Sequence, residues 1–223
     1  MRAVQEHGFE IIPECFDPSE ILSLRSALES TSLRRSRAGI RNALQVEAFR
    51  SIASDPRLVR LAQRTLGDDA VPFHATLFDK SPRSNRLVVW HQDTALPLRE
   101  QREVSGWGPW SVKEGVTYAH APAFALEQIL AIRVHLDDST AENGPLRILP
   151  ETHTLGVLSD DSIHELANRI PPAECHVPAG GLLIMQPLVI HASSKATGTA
   201  PRRVLHIECT ARTCFSGGVE LIG

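Results

Sequence analysis

The stretch Ala131-Ile132-Arg133-Val134-His135-Leu136 alternates side-chain character residue by residue. On a strand, successive side chains point to opposite faces, so Ile132, Val134 and Leu136 share one face and Arg133 and His135 the other. An apolar face asks for a core. A face carrying a guanidinium and an imidazole fits either a solvated cavity or an ordinary wet sheet face. Working outward from Ile129–Leu136, further short runs with strand character are separated by turn residues: Phe73–Phe78, Leu87–Asp93, Leu146–Leu149, Leu182–Met185 and Arg203–Cys209. Asn143-Gly144-Pro145 and Pro178-Ala179-Gly180-Gly181 punctuate them.

The part before Val71 has a different texture. Asp17-Pro18-Ser19-Glu20 is a helix start, with Asp17 as cap, Pro18 in the first helical position and Glu20 able to reach back. The following run to about Ser30 puts Ile21, Leu24 and Leu28 on one face. Asp55-Pro56 repeats the device and opens a helix through Leu58, Leu61, Ala62 and Leu66 that Gly67 ends. Leading helices followed by many short strands predict a mainly β fold with flanking helices, a β-sandwich or jelly roll whose two sheets close over a pocket. Two segments break the strand rhythm. Residues 94–128 read as a long irregular stretch that holds Trp107, Trp110, Tyr118 and Phe124, and such stretches serve as lids or binding loops. Residues 151–178 carry a short helix around Ile163–Ile170, then Pro171-Pro172.

At 223 residues the chain is expected to form one domain, 1–223, with a proper core. A net charge of −3 without a basic block or aromatic-basic interleaving gives no sign of a nucleic-acid or anionic-membrane partner. No apolar run approaches the roughly 18 residues of a membrane helix, and the start Met1-Arg2-Ala3-Val4-Gln5-Glu6-His7 lacks the apolar stretch of a signal peptide. Cys15, Cys175, Cys209 and Cys214 have no Cys-x-x-Cys spacing, so reduced thiols and a cytoplasmic location are expected. The sequence leaves the oligomeric state open.

The chemistry-bearing constellation is His91-Gln92-Asp93, followed far along the chain by His191 at the end of an apolar run. Two residues apart on a strand, His91 and Asp93 point the same way, and a second imidazole from a distant strand completes two His and one carboxylate on one side of a metal. That set with open positions suits Fe(II), whereas a zinc site would ask for cysteines. The alternative is a strand-end His–Asp pair and an unrelated loop histidine. Arg202 lies eleven residues after His191 and Ser193 lies two after it on the same face. A dicarboxylate chelating the metal through its oxo-acid end needs a cation and a hydroxyl at its far carboxylate, and an arginine fork with a serine donor supplies both. Arg203, by contrast, reads as a solvated surface cation.

Ordered motifs along nearly the whole chain resemble the phytanoyl-CoA dioxygenase-like Fe(II)/2-oxoglutarate-dependent oxygenases. They are Gly8-Phe9-Glu10-Ile11-Ile12-Pro13, Trp90-His91-Gln92-Asp93, Leu136-Asp137-Asp138, the block from Asn143 to His153, Gly180-Gly181-Leu182-Leu183, His191-Ala192-Ser193 and Arg202. Glu151 stands where the family's block usually has glycine. The resemblance implies a cupin-like double-stranded β-helix, iron held by His91, Asp93 and His191, and 2-oxoglutarate held by Arg202 with Ser193. O2 is the second co-substrate. It further implies hydroxylation of an unactivated C–H bond, with succinate and CO2 released. Related halogenating enzymes have a small residue in place of the carboxylate, so Asp93 favours hydroxylation or another oxidation over halogenation. Lys80 stands where many members keep a pocket lysine, the other reading being a surface lysine. Arg133 and His135 are candidate substrate residues, as are Trp107 and Trp110, which either contact substrate in a 94–128 lid or pin that segment to the body. His206 shares the face of Arg202 and is expected to point inward. His153 is expected to hold its turn, and His7, His164 and His176 to be exposed. With no basic cluster for a CoA ester, a small-molecule substrate is expected. The rival readings are a metal oxygenase of cupin type without 2-oxoglutarate, and a catalytically idle ligand-binding module.

Overall fold

The computed structural model describes residues 2–31, 39–81 and 84–222. Its elements follow in the order α1 (Arg2–His7), β1 (Phe9–Ile12), α2 (Pro18–Ser30), α3 (Glu47–Ala53), α4 (Pro56–Leu66), β2 (Val71–Lys80) and β3 (Val88–His91). Next come β4 (Ala95–Leu98), β5 (Trp110–Lys113), β6 (Val116–His120), α5 (Ala123–Leu126), β7 (Ile129–His135), β8 (Leu146–Ile148) and α6 (Asp160–Arg169). The chain closes with β9 (Ala173–Cys175), β10 (Leu182–Met185), β11 (His191–Ser193), β12 (Arg202–Thr210), β13 (Cys214–Phe215) and β14 (Val219–Glu220).

Antiparallel pairing builds a five-stranded sheet, β1-β10-β7-β12-β2, and a four-stranded one, β3-β11-β8-β9, the two sheets of a jelly roll. The register of the large sheet sorts its residues by face. Leu205 pairs with Val134 and Leu77, and Ile207 with Ile132 and Ala75, which makes one continuous apolar layer. Under it pack Ile21, Leu24 and Leu28 of α2, Phe49 of α3, and Leu58 and Ala62 of α4, all buried in one cluster. Each large aliphatic so covered contributes about 1.5–3 kcal/mol. The intervening residues, Lys80, Thr76 and His74 on β2 and Arg202, His206 and Glu208 on β12, face the other way.

The helices begin where their caps place them. Asp17 Oδ1 accepts from the Ser19 and Glu20 amides at 2.7 and 3.0 Å, and Glu20 returns a bond to the Asp17 amide at 2.8 Å. Asp55 caps α4 through the Arg57 amide, and Gly67 ends that helix with φ of 106°. The Leu-Asp-Asp motif is structural. Asp137 takes both ends of the Arg203 fork at 2.7 and 2.8 Å and an Arg25 nitrogen at 3.2 Å, which ties α2 to β12. Arg203 is therefore an internal tie, and the solvated reading is corrected. Asp138 accepts the Ala179 amide at 2.8 Å. Glu151 keeps the turn its glycine counterpart would make by adopting φ of 69°, a left-handed conformation that costs a residue with a Cβ about 1–2 kcal/mol.

Residues 94–128 are only partly irregular, with a loop at 99–109. The rest includes the three-stranded sheet β4-β6-β5 and α5, and Leu96, Leu98, Trp107, Ala119 and Leu126 bury themselves with Leu188, Phe215 and Leu221 in a second core. A bridge between Leu98 and Leu221 closes that unit onto the C-terminal segment. Its strands have only four or five residues, and their apolar partners lie about a hundred positions away, so local periodicity hides them. Helix α6 starts at Asp160, with Ser159 as its cap, earlier than the apolar pattern predicted. Among the described residues no helix is long and apolar enough to cross a membrane. All four cysteines are free thiols.

Candidate metal centre

His91 ends β3 and His191 opens β11, and the antiparallel register sets the two directly opposite each other. Their rings stand 4.2 Å apart between centroids. Each imidazole is held the same way: Nδ1 lies 2.8 Å from the carbonyl of Val89 in His91 and 3.0 Å from that of Val189 in His191. Those carbonyls accept only from a protonated Nδ1, so both Nε2 lone pairs are free and aimed at one point. Asp93 completes the set, with its carboxylate oxygens 3.3 Å from His91 Nε2 and 3.5 Å from His191 Nε2. The ligand atoms of the three residues all lie within 4.8 Å of one another. Donors bound cis to one ion at about 2.1 Å stand about 3 Å apart, so the triad fits a single metal with open positions.

The backbone around the triad is locked from behind. Gln92, between the two β3-side ligands, turns away and donates to the carbonyls of Gly156 and Leu188 at 2.8 and 2.7 Å while accepting the Leu158 amide. The Asp93 amide donates to the Pro187 carbonyl at 2.9 Å. Thr152 donates to Leu149 and accepts the Ile190 amide at 2.9 Å, which fixes the chain just before His191. His153 Nε2 meets the Gln5 carbonyl at 3.1 Å and so ties its segment to α1, a bond to a distant helix rather than within its own turn. Gln92 and Thr152 are positioning residues, present in the quoted motifs but given no role by the sequence alone.

Electrostatics prepare the three groups as ligands. Burial works against the Asp93 carboxylate, yet His191 and His91 beside it outweigh that and hold its pKa well below the usual range. Burial presses His191 down to about 4, against the pull of Asp93, so its imidazole is neutral at pH 7. On His91 burial is outweighed by the Asp93 contact, and its pKa rises. His191 is sealed in the sheet, whereas His91 and Asp93 are open to the cleft.

Two cavities meet at the triad. The first, of about 130 Å³, is lined by His91, Asp93 and His191 together with Lys80, Arg133 and Arg202. Ser193 organises its far end: its hydroxyl donates to the Gly144 carbonyl at 2.9 Å and accepts from Lys80 Nζ at 2.7 Å and Arg202 Nη2 at 3.1 Å. Ser193 thus donates to Gly144 and aims the two cations toward the cavity. Lys80 is buried, and the surface reading fails. Burial first, then Arg202 and Arg86, lowers its pKa to about 8. Burial and Arg133 lower that of Arg202 to about 10, still charged at pH 7.

Arg133 lies in this cavity, its Nη1 3.0 Å from His206 Nδ1 and its guanidinium 5.2 Å from the Phe78 ring centre. His135 shares its face but lines neither cavity; both its ring nitrogens lack hydrogen-bond partners, and burial, with Arg133 and Arg202, keeps it neutral. The wet-face alternative fails for both, because both are buried. Trp107 and Trp110 also line neither cavity. Trp107 is buried with its ring 5.6 Å from Phe215, and Trp110 packs against the same cluster, so they pin the segment to the body. His206 points inward as expected, while His7, His164 and His176 are exposed.

The second cavity, about 280 Å³, contains Tyr118 of the 94–128 segment and residues that motif reading missed, Arg41, His74, Lys113 and Glu208, beside His91 and Asp93. A signal was present. His74 and Glu208 continue, at spacing two, the inward faces that hold Lys80 and Arg202.

The family model described as Phytanoyl-CoA dioxygenase (PhyH) matches residues 4–204. The chain is 25% identical over 178 residues to L-proline trans-4-hydroxylase of Streptomyces griseoviridis, covering 68% of this chain and 59% of that protein. It is 21% identical to ectoine dioxygenase of Stutzerimonas stutzeri (strain A1501), covering 85% of this chain and 68% of that one. The chain therefore spans less than two thirds of the length of the first relative. The crystal structure of EctD from S. alaskensis with 2-oxoglutarate and 5-hydroxyectoine superimposes with a TM-score of 0.71 at 19% identity, covering 94% of this chain and 74% of that one. At that identity the likeness establishes the shared jelly-roll fold.

Proposed function

The chain belongs to the phytanoyl-CoA dioxygenase family, and from that premise we propose that it is an Fe(II)- and 2-oxoglutarate-dependent dioxygenase that hydroxylates a C–H bond of a small metabolite. The observation that carries this reading is the pairing of two features in one cavity: two imidazoles held with Nε2 free beside Asp93, and two buried cations, Lys80 and Arg202, aimed by one serine. A dicarboxylate that chelates the metal at one end and meets Lys80 and Arg202 at the other matches both.

When bound, Fe(II) with 2-oxoglutarate and O2 supplies the oxidising power, and the co-substrate leaves as succinate and CO2. The chain's own residues do the placing. Arg202 and Lys80 neutralise the far carboxylate in a low-dielectric site where a charge-assisted bond is strong. Arg133 adds a third positive charge near the metal and is held there by His206. The Nδ1 bonds of His91 and His191 fix ring orientation and tautomer, so neither ligand reorganises when metal enters. Asp93, open to the cleft, leaves the substrate side reachable.

The test is anaerobic. Purified protein with Fe(II) and then 2-oxoglutarate is expected to develop the weak visible charge-transfer band of a chelated oxo-acid. His191→Ala is expected to abolish the band, and Arg202→Ala to require more 2-oxoglutarate for it. Wild-type protein that binds iron but gives no band would overturn the 2-oxoglutarate assignment.

A further inference from the structure

The second cavity carries charges that the co-substrate does not use. It shares His91 and Asp93 with the first but opens at the other end of the same strands. On β2 the inward residues run Lys80, Phe78, Thr76, His74, and on β12 Arg202, Val204, His206, Glu208, in register. Six residues separate Lys80 from His74, about 20 Å of strand, and the triad lies between. The far end has its own chemistry. Glu208 is half-buried and lines the cavity, with Oε2 2.7 Å from His74 Nδ1. Tyr118 stands beside this pair, its hydroxyl 3.4 Å from His74 Nε2. Above it sit two cations. Lys113 Nζ lies 5.0 Å from the Tyr118 ring centre, with no carboxylate partner among the described residues. Arg41 is 3.6 Å from Glu114 and close enough to the Tyr118 phenol to oppose the rise that burial and Glu208 impose on its pKa. Arg41 is brought there by the bridge between Ile40 and Leu77, an approach so close that a Cβ on Gly39 would lie 1.8 Å from the Leu77 carbonyl oxygen.

We propose that this cavity is the substrate site and that it takes a small zwitterion, an amino acid or related amine-bearing acid, with its carboxylate at Lys113 and Arg41 and its ammonium at Glu208. The proposal rests on the oxygenase reading above, which puts the reacting C–H bond beside His91 and Asp93. Three features select this class. The volume is at the small end of ligand pockets and matches a small molecule. Glu208 is a half-buried carboxylate with one oxygen facing the cavity, so an ammonium is favoured there and a purely anionic or apolar ligand is penalised. Both signs of charge converge on one side chain, Tyr118, so the two ends of one small molecule can reach both.

The experiment uses the anaerobic protein–Fe(II)–2-oxoglutarate complex, titrated with each of the twenty standard amino acids, their methyl esters and their N-acetyl derivatives. Shift of the charge-transfer band and calorimetric heat are the readouts. At least one free amino acid is expected to bind and shift the band, with its ester and its N-acetyl form weaker by roughly tenfold or more. Glu208→Gln and Lys113→Ala are each expected to weaken that amino acid roughly tenfold while the 2-oxoglutarate titration stays unchanged. A Glu208→Gln protein that no longer forms the band has lost its fold, and Lys113→Ala, on the exposed rim, then carries the comparison. The proposal is overturned if no free amino acid perturbs the band, or if the blocked derivatives bind as well as their parents. Absence of the band in wild type before any amino acid is added would instead overturn the oxygenase reading.

Discussion

Arg202 and Arg203 are neighbours on β12, yet they belong to different parts of the protein. Arg203 lies on the helix-facing side of the sheet, where Asp137 takes its fork, and joins α2 to the sheet. Arg202 lies on the inward side, buried, with oxygens of Ser193 and Asn143 as its partners and no carboxylate among the described residues. The same division continues along the strand: Leu205, Ile207 and Cys209 in the core, His206 and Glu208 in the cavities. A single strand thus serves stability on one face and binding on the other, and the two can be damaged separately.

The largest effect is expected on the core face. Ile207→Ala removes a fully buried side chain and is expected to lower stability by about 2–5 kcal/mol, measured by denaturant unfolding, while the folded fraction binds 2-oxoglutarate as before. A loss of co-substrate affinity in that variant would break the division of faces. Arg202→Ala is the converse. Its 2-oxoglutarate affinity is expected to fall roughly ten- to hundredfold, with unfolding unchanged or slightly improved, because a buried charge without a carboxylate is removed. Arg203→Ala is expected to cost about 1–2 kcal/mol and leave the co-substrate titration alone.

The smallest effect sharpens the comparison within the inward face. Burial lowers Lys80 to about 8 from an ordinary lysine's 10.5. Its charge is present below pH 8 and lost above it, so 2-oxoglutarate affinity is expected to drop several-fold as pH rises from 7 to 9. Lys80→Met removes that limb of the titration. The folded state also sheds this proton before the unfolded chain does. Stability of the ligand-free protein is therefore expected to rise between pH 8 and 10.5 relative to Lys80→Met.

Much of this organisation was legible because it is local. Asp17 and Asp55 announce their helices within four residues, and period-two alternation in Ala131–Leu136 separates the core face from the polar one. The pairing of His91 with Asp93 was legible as a spacing of two, although β3 ends at His91 and the bond from the Asp93 amide to the Pro187 carbonyl is what holds the carboxylate beside it. Legibility ended where a partner lies far away. Residues 94–128 looked irregular because their short strands are completed by Phe215, Val219 and Leu221. Arg203 looked solvated because nothing near it in sequence hints at Asp137. His74 and Glu208 sat in plain alternation but belonged to no motif.

The sequence by itself determined the helices that Asp17 and Asp55 open, the longer strands and their faces, and the three side chains able to hold a metal, since caps, turns and strand alternation act over a few residues. Only the tertiary structure decided which of the inward groups meet. Register across β2, β12 and β7 put His206 on Arg133 and Glu208 on His74, and a bridge from Ile40 brought Arg41 over Tyr118. It also spent the Ser193 proton on Gly144 and withdrew Trp107 and His135 from the cleft. The physical reason is that hydrogen bonds and ion pairs act over a few ångströms, and closing sheets of distant strands is what brings such groups within reach.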